Sequence, residues 1–251
     1  MKWIISPAKN MKPVIEIGAI PQTPIFLEKA DALRNILKEH SPWQLEQILQ
    51  INPELGLLAF FHYQNYDPHK LGTPALLTYR GLQYQSMGPE DFTPEDMEFA
   101  QDRRLFILSA LYGLLRPLDG IQPYRLEMQS KLKVNGKNLY SYWADLCYRE
   151  LFWDGGIVVN LASAEYAKMI APWLTQRDKL ITCNFYVYSR GKMKMLPTSA
   201  KMARGQMVRY CIKERITNLE GIKVFSWNGY RFMPELSSDS NFVFYQENYG
   251  L

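Results

Sequence analysis

The sequence predicts an α+β protein: a single domain in which helices surround a mixed sheet of unusual strand order. Three observations predict this fold. Hydrophobic residues make up 47% of the 251 residues, enough for the substantial core of a globular protein. The predicted helices and strands alternate irregularly, which is not typical of a simple doubly wound sheet. No stretch of disordered composition divides residues 1–251, and no repeat is present.

Apolar runs and capping residues predict the elements of the first half of the chain. Thr23 offers an N-cap with Pro24 in the first helical position, and Ser41 and Thr93 open further helices in the same way. The predicted helices lie at 24–39, 41–49, 54–61 and from 94 onwards. The predicted strands lie at 2–6, 74–79 and 105–108.

The second half is predicted by the same signals. The strongest strand signal is the apolar run 157–161, which follows a turn at Gly155 and Gly156. Further strands are predicted at 180–188, 193–196, 223–227, 230–233 and 241–246. Helices are predicted at 139–152, from Ser163 to 170, and from Thr198 or Ser199 to about 217.

Several classes of protein are excluded by composition. No apolar run approaches the roughly 18–20 residues of a membrane helix, and no signal-peptide pattern opens the chain. Cys147, Cys183 and Cys211 are odd in number and far apart, which predicts reduced thiols in the cytoplasm. No zinc-ligand spacing occurs, so we expect no metal or other cofactor.

The run Ser109–Met128 is the most informative segment, because it is apolar yet carries charges. Its polar members include Arg116, Asp119, Tyr124, Arg125 and Glu127. A buried charge costs several kcal/mol unless it is paired. The arginines therefore either bind a phosphate or carboxylate ligand, or form an internal network with the acids that orders the loop.

Two further groups follow predicted strands, where ligands often approach an open sheet. Lys9 comes shortly after the first strand, as a site residue or as an ordinary solvated lysine. Asn160 and Ser163 lie at the carboxyl end of the strand 157–161, with Glu165 and Tyr166 just beyond. Ser163 is either part of an anion site or a simple N-cap.

Positive charge is concentrated near the predicted helix from 198. The chain has a net charge of +4, but no acidic residue occurs between Asp178 and Glu214. On a helical wheel one face is apolar and predicted to be core: Ala200, Ala203, Met207, Tyr210 and Cys211. The residues outside that face are predicted to form a positive surface: Lys201, Arg204, Arg209, Lys213 and Arg215. Such a surface indicates a polyanion partner, unless acids from elsewhere in the fold neutralise it.

Several motifs together resemble one known family. They are Ile5-Ser-Pro-Ala-Lys-Asn-Met11, Asp91-Phe-Thr93 with Asp96 and Phe99-Ala100, Leu108 to Asp119, Gln122 to Met128, Val159-Asn-Leu-Ala-Ser163 with Glu165-Tyr166, and Lys201-Met-Ala-Arg-Gly205. The chain resembles the YaaA peroxide-stress family over nearly its whole length. The resemblance implies a cytoplasmic protein that limits damage from free iron and binds DNA, with a helix-hairpin-helix element.

That implied element would fall within about 41–64. A strong helix-hairpin-helix carries a Gly-x-Gly turn whose amides meet phosphate. Here only Gly56 is present, and Glu54 would repel a phosphate. The sequence therefore predicts a degenerate form of the motif.

The preferred hypothesis is a peroxide-stress protein that binds double-stranded DNA in a positive cleft, largely without sequence specificity. The cleft residues would be Lys9, Arg116, Tyr124, Arg125, Asn160, Ser163, Lys201, Arg204 and Arg209. The alternative is an enzyme acting on a small anionic or nucleotide substrate, with Glu165 or Glu127 as acid or base. Direct iron binding is less favoured, because no carboxylate pair accompanies His40, His62 or His69 at ligand spacing.

Overall fold

An eight-stranded mixed sheet forms the centre of the protein, in a computed structural model that describes residues 1–13, 20–102, 104–189 and 192–247. The strands in chain order are β1 (Lys2–Ile5), β2 (Asn10–Met11), β3 (Thr73–Pro74), β4 (Tyr79–Arg80), β5 (Leu105–Ser109), β6 (Gly113–Leu115), β7 (Gly120–Ile121), β8 (Ile157–Leu161), β9 (Lys179–Ser189), β10 (Lys192–Lys194), β11 (Arg231–Phe232) and β12 (Asn241–Gln246).

Helices surround this sheet. They are α1 (Leu27–Lys38), α2 (Pro42–Leu49), α3 (Pro53–Gln64), α4 (Ala75–Thr78), α5 (Leu82–Met87), α6 (Pro94–Gln101), α7 (Leu139–Trp143), α8 (Leu146–Phe152), α9 (Ala164–Ala167), α10 (Pro197–Lys213) and α11 (Leu219–Lys223). Short 3₁₀ helices cover Pro89–Asp91, Ala171–Trp173 and Pro234–Leu236. No helix within the described residues combines the length and apolar character that crossing a bilayer requires.

The strand order of the central sheet is β11-β12-β9-β8-β1-β5-β6, and β10 pairs with the C-terminal end of β9. β1 lies between β5 and β8 and is parallel to both. β8, β9 and β12 continue the parallel part, whereas β6, β10 and β11 are antiparallel additions. The prediction of a single mixed α+β domain with unusual strand order is therefore confirmed.

This order creates a topological switch point beside β1. The parallel neighbour that follows β1 in the chain is β5, on one side of β1. The strand β8 lies on the other side of β1, and its next parallel neighbour, β9, lies still further from β1. The connections therefore diverge at the carboxyl ends of β1 and β8. In open α/β sheets such a divergence opens a crevice in which ligands bind.

The strands beside this crevice belong to the core. Every residue of β1 and β5 is buried, as expected for parallel strands that are covered on both faces. The apolar part of the Ser109–Met128 segment is buried as well, and β6 pairs with β5 at one edge of the sheet. Gly113 is required there, because its φ is +71° and a Cβ would lie within 3 Å of the Trp143 ring.

The segment 42–64 is a helical hairpin without a glycine turn. Ser41 caps α2 in a capping box with Gln44, and the Asn52 side chain caps α3, as the sequence indicates. Gly56 lies inside α3, where a Cβ would overlap the side chain of Glu46. Its role is therefore close packing of α3 on α2, and the connecting turn uses Gln50 at a φ of 55°.

Several element predictions are wrong, for local reasons. The segment 74–79 is not a strand: the Thr78 hydroxyl bonds to the carbonyl of Pro74, and the helix α4 forms instead. The segment 223–227 does not form a strand: Lys223 is the last residue of helix α11, whose start is capped by the Asn218 side chain through the amide of Gly221. The helix predicted over 139–152 is two helices, because Ala144 adopts a φ of 44°. Helix α1 begins at Leu27 without a cap from Thr23. The sequence also predicts a turn at Gly191, which lies outside the described residues.

Candidate anion-binding site

A cavity of about 360 Å³ lies at the carboxyl ends of β1 and β8, in the crevice of the switch point. We call it the switch-point pocket. Its walls come from the loops that follow these strands, from β4 and the start of α5, from the 124–127 segment and from α10. Five regions that are distant in sequence therefore converge on one concave surface.

Most of the site residues predicted from sequence line this pocket. They are Lys9, Tyr124, Arg125, Ser163, Lys201 and Arg204, together with the two candidate acids Glu127 and Glu165. The segment from Ser109 and the basic helix thus share one cavity. The pocket is also lined by Ser6, Arg80 and Tyr84, which were not predicted as site residues. The available signal for Ser6 was its place at the end of a predicted buried strand.

The structure does not bring Arg116 to the pocket. Its guanidinium binds the buried carboxylate of Asp119 through Nε at 2.9 Å and Nη2 at 2.7 Å, and also the carbonyl of Thr23 at 2.8 Å. Burial raises the pKa of Asp119, although the bonds from Arg116 oppose the shift. The pair is therefore an internal network that orders the loop, which is the alternative the sequence left open.

Arg209 also lies away from the pocket. Its Nη1 donates to the carbonyls of Met87 and Gly88, each at 3.0 Å, and its Nη2 lies 3.4 Å from Asp91. These contacts hold the C-terminal end of α5 against α10.

The positive charges at the C-terminal end of α10 are neutralised by an acidic residue. Asp96 accepts from Lys213 at 2.5 Å and from Arg215 at 2.7 Å. Burial opposes ionisation of Asp96, but these two bonds outweigh it and hold its pKa below the ordinary value. The surface predicted to be positive is therefore neutralised beyond Arg204, because Asp96 of α6 and Asp91 of the preceding 3₁₀ helix pair with its cations.

Asn160 supports the site from beneath and does not line it. Its amide bonds to Thr182 at 3.2 Å, and its carbonyl oxygen accepts from the backbone of Ala162 at 3.0 Å. This contact turns the chain after β8 and delivers Ser163. The Ser163 side chain does not cap α9; it accepts instead from the Ser6 hydroxyl at 3.3 Å, and the Ser163 amide donates to Ser6 at 2.8 Å.

The two carboxylates of the pocket have different roles. Glu127 bridges two cations, with 2.7 Å to Lys9 Nζ and 3.3 Å to Arg125 Nη2. Glu165 accepts from the backbone amide of Gln129 at 3.3 Å. Burial raises the pKa of Glu165, and the nearby Glu127 raises it further. Glu165 is therefore more readily protonated than an ordinary glutamate.

Arg204 is the most unusual group of the site. It is largely buried, and its burial lowers its pKa. Among the described residues, its side chain forms one hydrogen bond, a weak contact from Nη2 to Met195 Sδ at 3.9 Å. Its Nε, like that of Arg125, is buried and has no hydrogen-bond partner in that part of the chain. Within the described part of the chain, Arg204 forms no ion pair with any carboxylate.

Tyr124 lines the pocket with its ring, but its hydroxyl points into the core. The hydroxyl bonds to Ser109 at 2.8 Å and to the Tyr79 hydroxyl at 2.7 Å. Burial raises the pKa of Tyr124. Tyr124 is therefore a rigid wall rather than a donor to a ligand.

The three cysteines are free and buried. Burial raises the pKa of Cys183 to about 12 and also raises the pKa values of Cys147 and Cys211. Thiolate is the form that reacts with oxidants. At neutral pH these thiols are protonated and enclosed, so they are poor nucleophiles towards peroxide.

The histidines considered for iron are not gathered at one place with acids. Among the residues that the structure covers, no group of three or more His, Cys, Asp or Glu side chains has the arrangement to hold a metal ion. His40 bonds through Nδ1 to the carbonyl of Ile36 at 2.8 Å, and burial lowers the pKa of His62 on α3.

Comparisons with known proteins place the chain in a family. The family model described as peroxide stress protein YaaA matches residues 1–236. A UPF0246 protein of Ligilactobacillus salivarius is 43% identical over 245 residues, which are 97% of this chain and 99% of the relative. UPF0246 proteins of Agathobacter rectalis and Clostridioides difficile are 41% and 38% identical, over 97% of this chain and 98% and 99% of their own lengths. The chain therefore belongs to the peroxide stress protein YaaA family.

Proposed function

We propose that this peroxide-stress protein binds DNA through phosphate contacts at the switch-point pocket and so limits the damage that free iron causes to DNA. The family supports the role in peroxide stress. The charges of the pocket support the DNA contact. Phosphates are the same at every step of a strand, so such contacts position the protein without reading the sequence.

One observation carries the proposal: the largely buried guanidinium of Arg204 has no acidic partner among the described residues. A buried charge without a partner costs stability, and a protein keeps it where a ligand supplies the opposite charge. Arg204 lines the pocket, so that ligand is an anion in the pocket. Planar N–H donors of arginine match phosphate oxygens in pairs.

The whole pocket carries a surplus of positive charge. Five cations line it, namely Lys9, Arg80, Arg125, Lys201 and Arg204, against the two acids Glu127 and Glu165. Five minus two leaves three positive charges when both acids are ionised. Lys201 is exposed at the rim on α10, where it meets an approaching strand first.

The surplus of three charges predicts how binding depends on salt. Each neutralised phosphate contributes a slope of about −0.9 to a plot of log affinity against log salt, so we expect about −2.7. Affinity for a duplex should then fall about fortyfold between 50 and 200 mM salt. Fluorescence anisotropy with a labelled duplex at several salt concentrations measures this slope. An affinity that does not change with salt would refute phosphate binding.

A second candidate function is an enzyme acting on a small anionic substrate in the same pocket. It is favoured by Glu165, a half-buried carboxyl with a raised pKa beside several cations. Groups with shifted pKa values in a cleft often act as general acids or bases. If Glu165 is the acid, Glu165→Gln should remove turnover of a substrate without weakening its binding. Equal turnover by both proteins would exclude this role for Glu165.

A further inference from the structure

We propose that the switch-point pocket takes a terminal phosphate, the phosphomonoester of a nucleic-acid end or of a free nucleotide, in preference to a phosphate within a strand. This inference rests on the proposed function, because it assigns a ligand class to the same pocket. It is carried by the size of the pocket, its charge and the groups that are left without partners.

The size of the pocket favours an end over an internal phosphate. About 360 Å³ lies in the range of pockets for small molecules, roughly 300–1,000 Å³. The major groove of duplex DNA alone is about 12 Å wide, so the body of a duplex does not enter such a cavity. An internal phosphate is tied to the strand on both sides. A terminal phosphate is tied on one side only and can reach the buried walls.

The buried walls present donors for such a group. Arg125 and Arg204 both line the pocket, and the Nε of each is buried with no hydrogen-bond partner among the described residues, so neither guanidinium is fully satisfied within the described chain. Because Ser6 donates to Ser163, the proton of the Ser163 hydroxyl remains available for a ligand. A terminal phosphate has three oxygens that can accept from these groups at the same time. A phosphate within a strand has only two such oxygens.

The charge of the pocket also suits a terminal phosphate. A phosphomonoester carries about −1.5 to −2 at pH 7, whereas each phosphate within a strand carries one negative charge. The surplus of three positive charges is therefore better matched by the phosphomonoester.

Glu127 is the counter-ion of two cations of the pocket. Its carboxylate holds both Lys9 and Arg125, at 2.7 and 3.3 Å. An entering phosphate has to compete with this carboxylate for the same donors. A doubly charged phosphate competes more strongly than a singly charged one, so Glu127 adds to the preference for ends.

The test compares two duplexes of the same sequence at pH 7.5, one with 5′-phosphate ends and one with 5′-hydroxyl ends. We expect about tenfold tighter binding of the phosphorylated duplex by fluorescence anisotropy, as for one added charge-assisted contact. A deoxynucleoside 5′-monophosphate should displace it, and the corresponding nucleoside should not. If only the phosphorylated duplex binds and the monophosphate does not compete, the source is a nucleic-acid end rather than a free nucleotide.

Two variants make the test specific to the pocket. Lys201→Gln changes an exposed residue and should reduce the preference for the phosphorylated end without altering the fold. Arg231→Gln removes an exposed cation on β11, paired with Glu247 at 3.0 Å, and should leave the preference unchanged. Arg204→Lys keeps the charge but loses the planar donors, and should reduce the preference as well. Circular dichroism and the melting temperature report on folding.

The outcomes separate this inference from the proposed function. Equal, salt-dependent binding of both duplexes would overturn the terminal-phosphate site and leave general DNA binding standing. Binding of the monophosphate without binding of either duplex would overturn the DNA function and support a terminal-phosphate site in the pocket. Absence of binding to any of these probes would overturn both.

Discussion

Substitution of Arg204 by methionine is expected to remove most of the affinity for DNA while making the protein more stable. The guanidinium faces the switch-point pocket, so its loss removes a charge-assisted contact worth about 1.5–3 kcal/mol, or roughly 10- to 100-fold in affinity. In the free protein the same charge is largely buried without an acidic partner in the described chain. Replacing such a charge by an apolar side chain of similar length should stabilise the fold by about 1 kcal/mol.

Arg209→Met is the matched control, because Arg209 lies on the same helix but stabilises the fold and does not line the pocket. Arg209 bonds to the carbonyls of Met87 and Gly88 and lies outside the pocket. Its loss should destabilise the protein by about 1–2 kcal/mol and leave DNA affinity nearly unchanged. Urea unfolding and anisotropy measure the two quantities. If Arg204→Met loses stability and keeps its affinity, then Arg204 is structural and the anion site is misplaced.

Substitution of Gly205 by alanine is expected to destabilise the protein strongly, although alanine is the better helix former. In an open helix this change would stabilise by about 1 kcal/mol. Here a Cβ at position 205 would overlap the carbonyl oxygen of Gln83 and lie 3.1 Å from the amide nitrogen of Met87. Both are backbone atoms of α5 or its end, so they cannot rotate away. Overpacking of this kind costs about 3 kcal/mol or more.

The net loss is expected to be at least about 2 kcal/mol, or a melting temperature lower by about 4–8 °C. Lys201→Ala on the exposed side of the same helix is the control and should change stability by less than about 0.5 kcal/mol. Thermal unfolding followed by circular dichroism compares the two. Helix α5 also carries Tyr84 at the pocket, so Gly205→Ala should weaken DNA binding too. A melting temperature at or above that of the unchanged protein would show that α5 and α10 can move apart.

The basic helix shows what can be read from a helical wheel and what cannot. The wheel placed Ala200, Ala203, Met207, Tyr210 and Cys211 in the core; four of them are buried, whereas Tyr210 is only partly buried. It placed Arg204 on the flank, yet Arg204 lies four residues from each of two buried positions, Ala200 and Val208. That spacing was the available signal for a largely buried arginine. No spacing indicates that Asp96, more than a hundred residues earlier, neutralises the end of the helix.

The sequence by itself determined the family and part of the local structure. Capping boxes at Ser41 and Thr93 and the apolar run Ile157–Leu161 depend on neighbouring residues, so they are visible in the chain order. Only the tertiary structure decided which cations line the pocket. Arg116 and Arg125 are nine residues apart in the Ser109–Met128 segment, yet Arg116 pairs with Asp119 away from the pocket, whereas Arg125 pairs with Glu127 at the pocket wall. The physical reason is that the pocket is formed by strands and helices that are distant in sequence, and their approach follows from the strand order β8-β1-β5.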